Sequence, residues 1–303
     1  MNNNFSNTLI GFGEKMYPEG GTAGGAAGAA DYYPDDGLKG KIGYHLEGFI
    51  PLILILIIVF FLAIRFDFIT SSTPIVGPIA DMFEGGEKPV KMLIIGSTSQ
   101  EVLDVFNDNA KLVKYIIRDA ESLRRNPREQ LAQYQIIMLD QSQEPNKEVS
   151  RELGEAVEKY VNSGGKLIVV LDSGIRRPGA FDIIGWENTF GDVVPVSCDR
   201  VVEEIPVCTN KIFVRGHLFS EDEDHPIMKG IPVFPADPGF AATFEVLDVS
   251  PKGKELAYIQ DPFTKKSFPG IVEKPSIVGK SIYFNYNPGI TRGILESTIR
   301  YLR

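Results

Sequence analysis

Long apolar runs alternate with amphipathic stretches between residues 91 and 172. KMLIIGS (91–97), YQIIMLD (134–140) and KLIVVLD (166–172) are uninterrupted apolar runs, which are typical of strands buried on both faces of a sheet. VKYIIRD (113–119) fits a further strand or a continued helix. Residues 148–162 instead place their apolar side chains on one helical face, and Gly164 and Gly165 suit the turn that closes a helix.

The joins between these segments are short, and a short strand–helix–strand unit requires a parallel, right-handed crossover. The sequence therefore predicts an α/β fold with a doubly wound, mainly parallel sheet of the flavodoxin-like kind. The remainder of the chain is more β-like and is punctuated by Pro and Gly. Its strand candidates are VVPVSC, IPVCTNKIFV, FEVLDV, ELAYIQ and SIVGKSIYFNYN, and a closing helix is predicted from about Ile290.

A wholly apolar run precedes this domain. It starts at Gly48, ends at Ile64 and reads GFIPLILILIIVFFLAI, without a charge over 17 residues. At about 1.5 Å of rise per residue it is close to the thickness of a hydrocarbon core. The pattern predicts one retained transmembrane helix over residues 46–66, through which the chain would contact the lipid bilayer. A buried core helix is the alternative.

Composition divides the chain around that run. Residues 1–45 are rich in Gly and Ala and are expected to form a disordered tail, with a short docking segment for a partner as the alternative. Residues 67–90 are expected to form a juxtamembrane linker, and residues 91–303 the α/β domain. Lys39 and Lys41 precede the apolar run and Arg65 follows it, which favours a cytoplasmic N-terminus and a domain on the extracytoplasmic side.

Charge and cysteine content exclude several classes of protein. A net charge of −9 argues against a nucleic-acid partner, which would need a basic surface. Two cysteines are too few for a Cys-based zinc module. Cys198 and Cys208 could form a disulfide between neighbouring strands, which would agree with an extracytoplasmic domain, or could remain buried thiols.

Three segments occur in this order along the chain: the strand–helix–strand run of residues 134–174, the segment EDEDHPIMKGIPVF, and the closing EKPSIVGKSIYFNYNPGITRGILESTIRYL. Together they resemble class I glutamine amidotransferase-like domains, in particular the ThuA-like branch. The resemblance covers about residues 91–303. It implies a nucleophilic Cys at the turn after the central strand, with a downstream His-x-Glu pair.

The residues required by that chemistry are missing. The turn reads Asp172-Ser173-Gly174, and neither His217 nor His225 stands in a His-x-Glu sequence. Ser173 could replace the nucleophile if His217 or His225 lay beside it. Otherwise Asp172 and Ser173 would cap the next element.

Other ligand sites have weaker signals. Ligands of open α/β sheets bind beyond the carboxyl ends of the strands, so Asp172, Ser173, Arg176 and Arg177 are candidate ligand-binding residues. The two guanidinium groups could hold a carboxylate, a phosphate or a sugar acid, and simple solvation at the surface is their alternative. Gly96 could cradle an anion at a helix N-terminus. The acidic run 221–224 with His225 lacks the spacing of a metal site, and neither a metal nor a cofactor is predicted.

The favoured hypothesis is a single-pass membrane protein that presents a non-catalytic α/β domain as a binding or scaffolding module of a membrane-associated complex. Its partners would be other proteins or copies of itself, and a glycan or small anionic ligand. The alternative is an anchored hydrolase or carbohydrate-modifying enzyme that uses the turn at Asp172 with His217 or His225.

Overall fold

A computed structural model describes residues 51, 54–56, 58–59, 88–199, 201–202, 205–276 and 278–303. The chain divides into two units, Met1–Phe60 and Phe61–Arg303. The strands and helices given below all belong to the second unit.

The apolar runs of the sequence form the first strands. The strands are β1 (Val90–Ile95), β2 (Val113–Arg118), β3 (Ile136–Leu139), β4 (Lys166–Val170), β5 (Arg176–Arg177), β6 (Ala180–Ile184), β7 (Val196–Ser197), β8 (Val201–Val202), β9 (Ile205–Pro206), β10 (Ile212–Ser220), β11 (Val233–Phe234), β12 (Ala242–Val246), β13 (Ser250–Pro251), β14 (Lys254–Gln260), β15 (Ser267–Pro275) and β16 (Lys280–Phe284). β1, β3 and β4 correspond to the three predicted buried runs, and every residue of β3 is buried.

Helices follow the early strands. They are α1 (Gln100–Asp108), α2 (Pro127–Leu131), α3 (Arg151–Asn162), α4 (Glu187–Phe190) and α5 (Arg292–Leu302), with 3-10 turns at Val207–Thr209 and Pro288–Thr291. Ser150 caps α3 by accepting the N–H of Leu153 at 3.3 Å. α2 and α4 both contact α3, and α1 contacts α5.

Within the described residues, ten strands form one sheet in the order β11-β10-β14-β15-β16-β4-β3-β1-β2, with β12 paired to β10. The strands from β16 to β2 are parallel to their neighbours, with β1 between β2 and β3. In the other half of the sheet, the neighbouring pairs β11–β10, β10–β14, β14–β15 and β15–β16 are antiparallel. The pair β10–β12 is antiparallel as well.

The predicted doubly wound, mainly parallel, flavodoxin-like class is therefore wrong, because the sheet is mixed. Only six residues separate Gln260 at the end of β14 from Ser267 at the start of β15, and β16 follows β15 as closely. Connections this short can join only antiparallel neighbours, since a parallel pair needs a crossover of a dozen residues or more.

The structure does not support the transmembrane helix that was part of the predicted fold. In the part of the chain that is described, none of the helices has the length and apolar character that crossing a bilayer requires. Most of residues 46–66, and the predicted boundaries at 45 and 66, lie outside the described residues.

Candidate functional site

A polar cleft of about 320 Å³ opens at the carboxyl ends of β3 and β4. The loop after β3, the turn after β4 and the segment leading into β10 form its walls. Its lining residues are Ser142, Glu144, Pro145, Asn146, Lys147, Asp172, Ile175, Arg176, Thr209 and Lys211. The cleft therefore lies where ligands of α/β sheets bind.

A sharp turn at the end of β4 directs Asp172 toward this cleft. Leu171 adopts φ = 50°, which is uncommon for a residue other than glycine, and Gly174 follows at φ = 71°. A Cβ at Gly174 would lie 2.7 Å from the Phe190 ring and 2.8 Å from Leu139, so only glycine fits this close approach. The strained turn is thus fixed by packing on both sides.

Asp172 faces a buried lysine in the cleft. Lys147 Nζ lies 3.6 Å from Asp172 Oδ1, and it also donates a hydrogen bond to the carbonyl oxygen of Gln141. Burial lowers the pKa of the Lys147 ammonium, and the nearby Asp172 carboxylate acts in the opposite direction. Asp172 Oδ1 is buried, and among the described residues no group donates a hydrogen bond to it.

Ser173 points away from the cleft. Its hydroxyl oxygen accepts the N–H of Gln141 at 2.7 Å, and the side chain is fully buried. Gln141 Oε1 in turn accepts the N–H of Gly174 at 2.9 Å, and Trp186 Nε1 donates to the Ser173 carbonyl at 2.8 Å. These bonds fasten the turn after β4 to the turn after β3.

Both histidines of the described domain have other surroundings. His225 Nε2 lies 3.1 Å from Glu273 Oε2, while His225 Nδ1 accepts the N–H of Ile227 at 3.3 Å. Both ring nitrogens of His225 therefore have partners outside the cleft. His217 lies on β10 opposite Gln260, with its ring 6.0 Å from that of Phe219.

Ser173 accordingly has neither histidine among its hydrogen-bond partners in the described part of the chain. The nucleophile–base pair considered for the turn at Asp172 is not formed, because His225 is held on β15 by Glu273 and His217 lies on β10 beside Phe219.

Of the two predicted arginines, only Arg176 lines the cleft. Arg176 lines it and is exposed, and its guanidinium has no ion-pair or hydrogen-bond partner among the described residues. Arg177 instead donates from Nη1 to the carbonyl of Asn188 at 3.3 Å and does not line the cleft. Of the four candidate ligands, the structure thus places Asp172 and Arg176 together at the cleft.

Residue patterns did not identify the other cleft residues. Lys147 and Glu144 follow β3 in the segment QSQEPNKE, and the rule that ligands bind at strand ends could have drawn attention to them. Thr209 and Lys211 come from a distant segment that carries no such signal. Lys211 forms an ion pair with Glu245 of β12.

The disulfide Cys198–Cys208 is formed, with the two Cα atoms 5.6 Å apart. Cys208 is fully buried in the 3-10 turn Val207–Thr209. Because Thr209 is the next residue and Lys211 lies two further on, the disulfide anchors one wall of the cleft.

The remaining candidates serve the fold. A Cβ at Gly96 would lie 2.4 Å from the Asp140 carbonyl oxygen, so this glycine allows a close approach of two chain segments. Asp222, in the acidic run, forms an ion pair with Lys254. No group of three or more potential metal ligands occurs among the residues that the structure describes.

Comparison with known proteins gives only distant likenesses. No family model matches the chain, and no curated protein does. Among solved structures, a β-galactosidase from Bacillus circulans sp. alkalophilus is 13% identical with a TM-score of 0.46, covering 73% of this chain and 32% of that one. A β-galactosidase from a Rahnella species is 14% identical with a TM-score of 0.44, covering 74% and 33%.

A putative GMP synthase subunit from Thermoplasma acidophilum is 9% identical with a TM-score of 0.35, covering 70% of this chain and 96% of that one. The chain spans about a third of the length of the β-galactosidases that it resembles. Several of the similar structures are thus glycoside hydrolases.

These findings correct the predicted resemblance to ThuA-like, amidotransferase-like domains. No family model matches the chain, and the similar structures include β-galactosidases. The motifs behind the prediction reflect local folding requirements. Gly164, at φ = 105°, ends α3 before β4, and His225 packs with its ring centroid 4.9 Å from that of Tyr301.

Proposed function

We propose that this chain binds a small hydroxylated carboxylate, of the sugar-acid class, in the cleft between the turns after β3 and β4. The observation that carries the proposal is that one cleft holds a buried carboxylate oxygen that accepts no hydrogen bond and a guanidinium without a counter-ion. Asp172 Oδ1 has Lys147 Nζ at 3.6 Å but no hydrogen-bond donor, and Arg176 has no ion-pair partner among the described residues.

The chemistry of the ligand follows from these two groups. A guanidinium binds a carboxylate through two parallel hydrogen bonds, which a lysine cannot reproduce. A buried carboxylate oxygen without a donor is costly, so a ligand hydroxyl that donates to it recovers free energy. A molecule with both groups suits the cleft better than a neutral sugar or a simple carboxylate.

The electrostatic balance of the cleft supports an anionic ligand. Lys147, Arg176 and Lys211 line it together with Glu144 and Asp172, and Lys211 is paired with Glu245 outside the lining. The charges around the cleft therefore balance, and Arg176 is the lining cation without an ion-pair partner among the described residues. The whole chain carries a net charge of −9. Arg176 therefore offers an anion one unpaired positive charge on an otherwise acidic protein.

Calorimetric titration of the full-length chain with glucuronate, gluconate, glucose and acetate tests the proposal. We expect glucuronate or gluconate to bind at least about ten times more tightly than glucose or acetate, since each of the latter lacks one of the two required groups. Arg176→Ala should weaken binding of the acid about ten-fold or more.

Arg177→Ala is the matched control, because it removes an adjacent guanidinium that faces Asn188 instead of the cleft. Equal binding of glucose and glucuronate would contradict the proposal. So would an equal loss of affinity in the Arg176→Ala and Arg177→Ala variants.

A carbohydrate-modifying activity is the second candidate. It is favoured by the presence of two carboxylates, Glu144 and Asp172, in the same cleft, since paired carboxylates carry out acid–base chemistry on glycosides. Release of nitrophenol from a nitrophenyl galactoside or glucuronide, lost in Asp172→Asn, would favour this enzyme over a binding module.

A further inference from the structure

β2 is an edge strand with an unusual surface. Within the described residues it pairs with β1 alone, so its other side has no neighbouring strand. Ile116 is 51% exposed and Ile117 is 43% exposed. Successive residues of a strand point to opposite faces, so this edge presents one apolar side chain above the sheet and one below it.

The hydrogen bonds to β1 determine which backbone groups of β2 are free. The carbonyl of Leu112 accepts the N–H of Val90, and the carbonyl of Arg118 accepts the N–H of Gly96. In a parallel pair, alternate residues direct both backbone groups to the same neighbour. The N–H and C=O groups of Tyr115 and Ile117 therefore face away from the sheet.

The edge is also basic, although the chain is acidic. Residues 111–128 contain six Lys and Arg and two Asp and Glu, within a chain of net charge −9. Arg124 forms an ion pair with Glu121. Lys111, Lys114 and Arg128 have no ion-pair partner among the described residues. A partner that covers this edge would meet an excess of positive charge.

We propose that β2 binds an extended acidic peptide segment of a partner protein, which adds to the sheet as a further strand. The outward backbone groups of Tyr115 and Ile117 would pair with the peptide main chain, and Ile116 and Ile117 would contact apolar side chains on its two faces. Flanking Asp or Glu residues of the peptide would meet Lys111, Lys114 and Arg128.

Charge favours this occupant over a second copy of the chain. Two β2 strands related by a two-fold axis would bring the same basic segment against itself, and like charges side by side oppose association. An acidic strand turns the same residues into attractive contacts, which raise the rate of association at low salt.

The test uses the full-length chain and a fluorescein-labelled peptide of sequence EDIVTVDE. Fluorescence anisotropy should show saturable binding of this peptide. Binding should be at least about ten times tighter than that of two control peptides, KKIVTVKK, which is basic, and EDIVPVDE, whose proline cannot donate a hydrogen bond to a neighbouring strand. Amide exchange followed by NMR should slow at Tyr115 and Ile117 in the complex and change little at Lys114 and Ile116, which already face β1.

Charge variants separate this surface from general electrostatic attraction. Lys111→Glu combined with Lys114→Glu should weaken peptide binding at least about five-fold, while Lys229→Glu, an exposed lysine elsewhere, should not. The proposal is overturned if the Tyr115 and Ile117 amides gain no protection from the peptide, or if Lys229→Glu has the same effect. Concentration-dependent protection of these amides without peptide would overturn it in favour of a second copy.

Discussion

Asn285 makes the densest set of hydrogen bonds of any side chain described in the sheet core. It lies directly after β16 and is fully buried. Its Oδ1 accepts the N–H of Leu247 at 2.9 Å and the hydroxyl of Tyr283 at 3.1 Å, and its Nδ2 donates to the carbonyls of Leu247 and Pro269 at 2.9 and 2.8 Å. One side chain thus joins the segment after β12 to β15.

Replacing Asn285 by Ala should destabilise the fold strongly. The change leaves several buried backbone groups and a tyrosine hydroxyl without partners, and each such group costs about 1–3 kcal/mol. We expect the free energy of unfolding to fall by about 3 kcal/mol or more, measured by urea denaturation.

Asn162→Ala is a suitable control, since Asn162 is exposed and accepts one hydrogen bond from Ser276. It should change stability by less than about 0.5 kcal/mol. A similar loss of unfolding free energy in both variants would show that the buried hydrogen bonds of Asn285 stabilise the fold no more than one exposed hydrogen bond does.

Single residues of the site were only partly predictable. Asp172 and Arg176 are predicted as ligand-binding residues because they follow a strand whose buried pattern is plain in the sequence, and both line the cleft. The separation of Arg176 from Arg177, and the inward rotation of Ser173, depend on contacts with Asn188 and Gln141. Those partners lie 11 and 32 residues away, so residue patterns could not reveal them.

At the scale of elements, the disulfide anchors one wall of the cleft. Cys198 and Cys208 close a short loop that contains the β8–β9 hairpin, and Thr209 and Lys211 continue from it into the cleft wall. Without the cross-link, this wall would be held by fewer constraints.

Substituting both cysteines by serine should cost about 2–3 kcal/mol of unfolding free energy, the amount expected for a loop of this length. On the proposed function, it should also weaken ligand binding, because Thr209 and Lys211 lose their anchor. Thermal unfolding and calorimetric titration would measure the two effects.

Treatment of the parent chain with a reductant should reproduce both changes, and the serine variant should not respond to it. A serine variant with unchanged affinity would indicate that this wall is positioned by β10 alone.

Most elements of the first half follow from local patterns, whereas their assembly does not. The alternation of apolar runs and a capped amphipathic helix specified β1, β3, α3 and β4, since each is determined by its own residues. The short spacings between β14, β15 and β16 indicate hairpins, and with them an antiparallel extension. The order in which β10 joins β14 and β12 depends on long-range packing that no local signal encodes.

At the scale of the whole molecule, buried charge links the site to stability. Asp140 follows β3 and is 1% exposed. Its carboxylate accepts hydrogen bonds from the Thr98 hydroxyl and from the N–H of Ser142 at 2.9 Å. Burial raises the pKa of Asp140 above its ordinary value despite these bonds and the nearby Lys147.

A raised carboxyl pKa means that the folded chain holds this proton more tightly than the unfolded chain does. Stability therefore falls as pH rises from the ordinary value of 3.8 through the raised value of the folded state. Asp140→Asn removes the buried charge, and an amide can still accept from Ser142 and donate to the Thr98 oxygen. We expect the variant to have a higher midpoint of thermal unfolding than the parent at pH 8, by roughly 2–4 °C for each kcal/mol gained.

The difference between variant and parent should shrink toward pH 3, where the Asp140 carboxyl is protonated in both states. Asp261→Asn should change stability at pH 8 in the opposite direction. Hydrogen bonds from the Thr264 hydroxyl and from the N–H of Phe263 lower the pKa of Asp261, so its charged form stabilises the fold. That variant should be less stable than the parent at pH 8, and equal to it in acid. If Asp140→Asn shifts the midpoint equally at pH 3 and pH 8, the effect arises from packing, and the charge of Asp140 is not the cause.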